Sequence, residues 1–319
     1  MSWIIVTKNK GGDRFYPVHQ LRQKLKAKVV PHNELRNRGD NFWKNKHVIF
    51  HMVWKQEYMP LWVDHLERVA SNAKTFWVEF DADQYMNNLE RFDKTCGYPD
   101  DKLVFWNKVT PYNLIWELPI NYLPMEQYQR TIVNLGLYDV KWERPIKNQK
   151  SIDVFAVIDS IARNGTYTLY MLEQLQKSLK VVCIVNNRRF YNYYKDKTSI
   201  ELIHNTKFSS GSEKKFHEFL RDSKVYVEFS NRITLGRNIY EALFNGCLAV
   251  TPNTYGVSQF FPKEFVIDPN FLNFDLQRET LLHKVGTYQK QRVHDLRQQV
   301  KEKADINRSI KELKEKRNG

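Results

Sequence analysis

The sequence predicts an α/β protein built from two Rossmann-like domains that face a cleft, with a helix at the C-terminus. Three observations predict it. Short β-branched runs alternate with amphipathic stretches, as in a parallel doubly wound sheet. The alternation pauses over 111–149, which carries Pro111, Pro119, Pro124 and Pro145, and then restarts. At 319 residues the chain is long enough for two domains with real cores. The expected division is 1–148 and 149–319, the second domain including the terminal helix. In such sheets ligands sit at the C-terminal ends of the strands.

The elements follow in order. Residues 3–7 (WIIVT) read as a buried strand, because they are continuously apolar or β-branched. Gly11-Gly12 make a turn, and Val18, Leu21 and Leu25 then share one helical face. Strands follow at 29–30 and 48–53 (VIFHMV). Leu61, Val63, Leu66, Val69 and Ala70 give helical spacing over 60–70. Residues 76–80 (FWVEF) are a strand that runs into Asp81, and 103–106 are another. After the Pro-marked connector come strand 152–158, helix 167–179, and strands 181–185 and 200–203. Helix 214–220, strand 225–229, helix 238–245 and strand 247–250 complete the second half. Residues 289–316 are highly charged and read as one long terminal helix.

Composition narrows the partners. A hydrophobic content of 42% excludes disorder, and the low Gly and Pro counts (12 and 11) exclude collagen-like chains. Cys96, Cys183 and Cys247 lie far apart, which is neither a disulfide framework nor a zinc site and fits a reducing cytosol. The apolar opening is too short for a signal peptide or a membrane span, so a cytoplasmic protein with no transmembrane segment is expected. Lys and Arg total 50 against 36 Asp and Glu, a net charge of +14. Residues 1–55 alone hold twelve basic and three acidic side chains, interleaved with Phe15, Tyr16, Phe42, Trp43 and Trp54. Such a block points to a polyanion; a solvated basic surface is the competing account.

Two places could carry chemistry. In the string 233–252, ITLGRNIYEALFNGCLAVTP, Gly236 leads into a helix on which Arg237 and Glu241 share a face. Backbone N–H groups at such a helix start, beside an Arg, suit a pyrophosphate. A carboxylate one turn deeper suits a ribose diol. A plain i,i+4 ion pair is the other reading. The second place is FWVEFDADQ, where Asp81 and Asp83 follow a strand. A carboxylate there suits a general base. The Asp-x-Asp pair also suits a divalent metal, or simply solvated loop carboxylates.

The string at 233–252 resembles the nucleotide-sugar signature of GT-B glycosyltransferases. Residues 121–128, NYLPMEQY, resemble the domain joint of the DNA β-glucosyltransferases of T-even phages. The order of the remaining features agrees with that family: a strand and loop at the N-terminus, a strand ending in Asp81, the joint, Arg163 after the first strand of the second half, and the ITL segment. Two departures stand out. An extra residue intervenes at 236–238, and IDSIA at 158–162 replaces the family's Gly-rich loop, which bears on the identity of the donor.

The resemblance implies inverting transfer of a sugar from a UDP-glucose-like donor onto hydroxymethylated pyrimidines of double-stranded DNA, in a host cytoplasm. It implies Asp81 as general base beside Asp83, and a donor site of Arg163, Gly236, Arg237 and Glu241. Mg2+ or Mn2+ would assist the leaving group, with its ligands unassigned, and a monomer is expected. Phosphate contacts would fall to Lys8, Lys10, Arg14, Arg36, Arg38, Lys44 and Lys55. Trp54 is either a wedge for the gap left by an extruded base or a Trp packed under a loop. His32 and His51 read as structural. Two rivals remain: a GT-B enzyme acting on a glycan or lipid at a membrane, and a non-catalytic DNA-binding protein on a degenerate transferase fold.

Overall fold

Strands buried on both faces of a parallel sheet need largely apolar runs, and WIIVT, IDVFAVI, VVCIV and LAVTP are such runs. A computed structural model describes residues 2–7, 16–52, 59–80, 112–116, 132–158, 164–204, 212–230, 236–253 and 257–316. The chain forms two compact units, Met1–Leu137 with Ala304–Gly319, and Tyr138–Lys303. Each is α/β with a six-stranded, wholly parallel sheet, as the alternation predicts.

The first unit contains β1 (Trp3–Thr7), α1 (Tyr16–Leu25), β2 (Lys28–Pro31), α2 (Asp40–Trp43), β3 (His47–Met52), α3 (Met59–Asn72), β4 (Thr75–Phe80), β5 (Asn113–Trp116) and β6 (Ile132–Asn134). The strand order is β2-β1-β3-β4-β5-β6. β5 and β6 lie in the stretch expected to be a connector, which is a correction. Their apolar runs are only three or four residues long, too short to stand out between prolines. The expected strand at 103–106 lies outside the described residues.

The second unit contains β7 (Ile152–Ile158), α4 (Gly165–Gln176), β8 (Val181–Val185), α5 (Arg188–Tyr194), β9 (Glu201–His204), α6 (Ser212–Asp222), β10 (Ser223–Val227), α7 (Arg237–Phe244), β11 (Leu248–Pro252), β12 (Val266–Ile267), α8 (Phe274–Gly286) and α9 (Lys290–Ala304). Its strand order is β12-β11-β10-β7-β8-β9. The direction of winding therefore reverses between β7 and β10, and that switch point is where an open parallel sheet leaves a crevice for a ligand. Among the described residues no helix is long and apolar enough to cross a membrane.

The units part at Leu137/Tyr138 instead of 148/149, and the chain end belongs to the first unit. The expected single terminal helix is two: α9 stops at Ala304 and α10 (Ile306–Glu315) starts after Asp305. The Asp305 carboxylate accepts the N–H of Asn307 at 2.8 Å and so caps the new helix. α10 packs on α1 and β6. Gly136 N–H donates to Ser309 Oγ at 3.0 Å, and Ser309 Oγ donates to the Asn134 carbonyl at 2.9 Å. A Cβ at Gly136 would overlap the backbone of Ala304, so this approach requires glycine.

Three titratable side chains are buried at the C-terminal edge of the first sheet. His51 and Glu79 are cross-strand partners on β3 and β4, and His51 Nδ1 donates to Glu79 Oε2. His32, just after β2, stacks on Phe50 with ring centroids 5.4 Å apart. Its pKa is pushed down from 6.5 to about 3, first by burial and then by the charge of His51. The unfolded chain binds a proton that folded His32 refuses between those values. This group alone is therefore expected to remove about 1.4 kcal/mol of stability per pH unit as pH falls from 6.5 toward 3. Melting wild type and His32→Phe across that range tests the point. Equal acid sensitivity in both proteins would assign it to other groups.

Candidate functional site

The site grows from one helix start at the switch point of the second unit. Gly236 caps α7 in the left-handed region, with φ 65° and ψ 41°. A Cβ there would also lie 2.8 Å from Val257 Cβ and Cγ1, so both backbone and space call for glycine. The Gly236 carbonyl accepts the N–H of Ile239 at 2.8 Å and of Tyr240 at 3.2 Å, which starts the helix. The first N–H groups of any helix have no acceptor inside it, and the helix dipole adds partial positive charge.

Arg237 and Glu241 meet as their spacing predicts: Arg237 Nε donates to Glu241 Oε1 at 2.8 Å. The pair is not a plain surface bridge, because the Glu241 side chain is only 5% exposed while that of Arg237 is 39% exposed. A histidine completes the group. His217, on α6, holds Nε2 3.7 Å from Glu241 Oε2, an ion-pair separation longer than a hydrogen bond. Burial alone would raise the Glu241 pKa; His217 and Arg237 outweigh it and hold the carboxyl below its ordinary value. Glu241 is thus a buried carboxylate that stays ionised. One of its oxygens faces Arg237 and the other His217, and each retains lone-pair capacity for a hydroxyl donor.

The neighbouring strand ends are tied to this start. Asn164 caps α4 with φ 65°, and its Nδ2 donates to the carbonyls of Phe229 at 3.1 Å and Pro269 at 3.4 Å. One side chain so joins the entry to α4 with the segments that follow β10 and β12. Tyr167 Oη donates to Gln277 Oε1 at 2.5 Å behind it, and its ring meets Phe229 at 5.5 Å between centroids.

Gly236, Arg237 and Glu241 are therefore brought together. Arg163, Asp81, Asp83, Lys8, Lys10, Arg14, Trp54 and Lys55 lie outside the described residues. In the basic block, Arg36 and Lys44 are exposed. Arg38 is engaged by Glu34 at 2.6 Å and lies 4.8 Å from the Phe42 ring centroid. His217 escapes sequence reasoning: it sits on a different helix, and nothing in the run KKFHEF singles it out. Among the described residues no three His, Cys, Asp or Glu side chains gather as a cation site.

The sequence matches no protein-family model and no curated protein. The fold does match solved structures. Anabaena HepE in complex with UDP gives a TM-score of 0.65 at 8% identity, over 99% of both chains. T4 phage BGT in complex with UDP and Mn2+ gives 0.53 at 9% identity, over 100% of both chains. TarM gives 0.64 at 14% identity over 90% of this chain, which spans 57% of the length of TarM. The architecture is that of the GT-B glycosyltransferases, two parallel-sheet α/β units.

Proposed function

We propose that the protein is a glycosyltransferase that moves a hexose from a UDP-sugar onto hydroxymethylated pyrimidines of double-stranded DNA, with inversion. The observation that carries the donor half is the buried, ionised Glu241 between Arg237 and His217 at the switch point of the second sheet. The DNA half rests on the resemblance of the 121–128 and 233–241 segments and on the basic N-terminal block. A full-length fold match to a phage protein bound to UDP adds support.

In this reading Glu241 accepts the two ribose hydroxyls of the donor. Arg237 and Arg163 offset the charge of the departing diphosphate, aided by the amides at the start of α7. Asp81 takes the proton of the base hydroxymethyl group, whose oxygen attacks the anomeric carbon. The bond from that carbon to the diphosphate oxygen breaks, and UDP leaves with the electron pair. Mg2+ or Mn2+ bound to the diphosphate would supply further positive charge.

The direct test is to incubate the protein with hydroxymethylcytosine and hydroxymethyluracil duplexes and a panel of nucleotide sugars, then read nucleoside masses. A hexose increment is expected. Asp81→Asn is expected to lower transfer about 10²–10⁴-fold, the range for a general base, with UDP affinity unchanged. Transfer at the wild-type rate would remove Asp81 from the mechanism.

One observation favours a second reading, transfer to a glycan or lipid at a membrane. Tyr170, Phe271, Leu272 and Leu276 are exposed by 45%, 63%, 96% and 69%, an apolar patch of the kind that meets partners or lipid. Sugar transfer to a lipid-linked acceptor with none to duplex DNA would select it.

A further inference from the structure

A row of basic and aromatic side chains lies along one helix of the second unit. Helix α5 follows β8, and Asn187 Oδ1 caps it by accepting the Phe190 N–H at 2.9 Å. Phe190 is buried against the sheet, and the Tyr191 ring lies 5.1 Å from that of His204 on β9. Flanking that buried face, Arg189, Tyr193 and Lys197 follow at four-residue spacing, which puts them in one row. Helical turns continue past the assigned end, since Lys195 N–H donates to the Tyr191 carbonyl and Lys197 N–H to that of Tyr194. The row is ordered by its own chemistry: Lys197 Nζ sits 3.6 Å from the centroid of the Tyr193 ring, which is 59% exposed. Arg188 stands beside Arg189, and both are exposed. Among the described residues no carboxylate pairs with Arg188, Arg189 or Lys197. The nearby Asp196 lies 3.7 Å from Lys195 instead.

We infer that this row, Arg189–Tyr193–Lys197 with Arg188 beside it, is a contact surface for the sugar-phosphate backbone of duplex DNA. The inference rests on the DNA reading proposed above. At about 1.5 Å per residue the row spans about 12 Å, which matches about three or four phosphates of one strand at one charge per 3.4 Å of axis. Arg and Lys supply charge, and an exposed Tyr hydroxyl is a usual phosphate donor. A lipid surface fits less well, because an interfacial helix must offer an apolar face and the apolar side of α5 is spent on the sheet. The start of α5 follows the C-terminal end of β8, the same edge of the sheet that holds Glu241. DNA bound along the row would thus reach the edge where the donor is proposed to bind.

The experiment compares wild type with Arg189→Glu/Lys197→Glu, and with Arg189→Gln/Lys197→Gln in case charge reversal disturbs folding. A fluorescent hydroxymethylcytosine duplex is titrated at several salt concentrations, and UDP binding and binding to phosphatidylserine vesicles are measured alongside. The expected result is duplex affinity about tenfold to hundredfold lower in the variants, with the slope of log affinity against log salt shallower by about 2 and UDP affinity unchanged. Equal affinity and slope in all three proteins would overturn the inference. So would loss of vesicle binding in the variants with duplex binding intact, which would assign the row to lipid. A duplex that binds through the row and is never glycosylated would leave the row standing and defeat the proposed function.

Discussion

Glu241→Ala is expected to weaken UDP binding by about 3 kcal/mol, or about 100-fold, the loss of two hydroxyl hydrogen bonds to a charged acceptor. The carboxylate is 5% exposed and already ionised, so in the proposed donor complex a ribose would meet an acceptor that need not be desolvated or deprotonated on binding. The fold should tolerate the change better than the ligand does. The two side chains left behind, Arg237 and His217, are 39% and 34% exposed and can turn to water. Glu241→Gln keeps the shape and one acceptor oxygen, and is expected to lose less affinity. The lowered carboxyl also sets a pH window. Its contribution to folding is complete above the ordinary value of 4.5 and is lost only as pH falls through the lower, folded-state value. UDP binding should accordingly persist somewhat below pH 4.5. Calorimetric titration with UDP tests the set, and wild-type affinity in Glu241→Ala would restore the plain ion-pair reading of Arg237 and Glu241.

Glu79→Leu or His51→Leu alone is expected to destabilise the first unit by about 3–5 kcal/mol, the cost of leaving one member of a buried polar pair uncompensated. For a unit of this size that corresponds to a fall in Tm of about 10 °C. His51 is 1% exposed and Glu79 not exposed at all, so neither can find water when the other is removed. The double substitution is expected to recover most of the loss, because a buried pair replaced by packed apolar side chains is often neutral or better. Thermal melts of the two singles and the double form the cycle. Additive losses would show that the two side chains do not depend on each other.

The strands that were legible share one property. WIIVT, VIFHM, TFWVEF, IDVFAVI and VVCIV are long apolar runs, because a parallel sheet buries both faces. NLIW and IVN are too short to declare themselves, and β12 has two residues. Helices α5 and α8 were missed for a different reason. RRFYNYY and FDLQRETLLHKVG bury only a few side chains, so their apolar periodicity is weak. Within the site, Arg237 and Glu241 were readable because a helix makes i and i+4 neighbours by local geometry. His217 was not, since its approach to Glu241 is set by the packing of α6 on α7. The pairing of His51 with Glu79 is likewise a matter of strand register, which neither segment contains alone.

The return of α10 to the first unit has a consequence for how the chain is made. Ile306, Ile310 and Leu313 are buried there, and Lys24 Nζ reaches Asn307 Oδ1 at 2.8 Å. A ribosome completes every strand of the first sheet before it begins the second unit, yet it supplies the helix that covers α1 and β6 only after the whole of that second unit. At about 5–20 residues per second the interval is about 10–30 s. For that time the nascent first unit carries an uncovered apolar face, and the second unit is itself incomplete until α9 ends at Ala304, one residue ahead of α10. The order of translation therefore delays completion of the first unit until the second is also made, and makes the interval one in which a chaperone has something to hold.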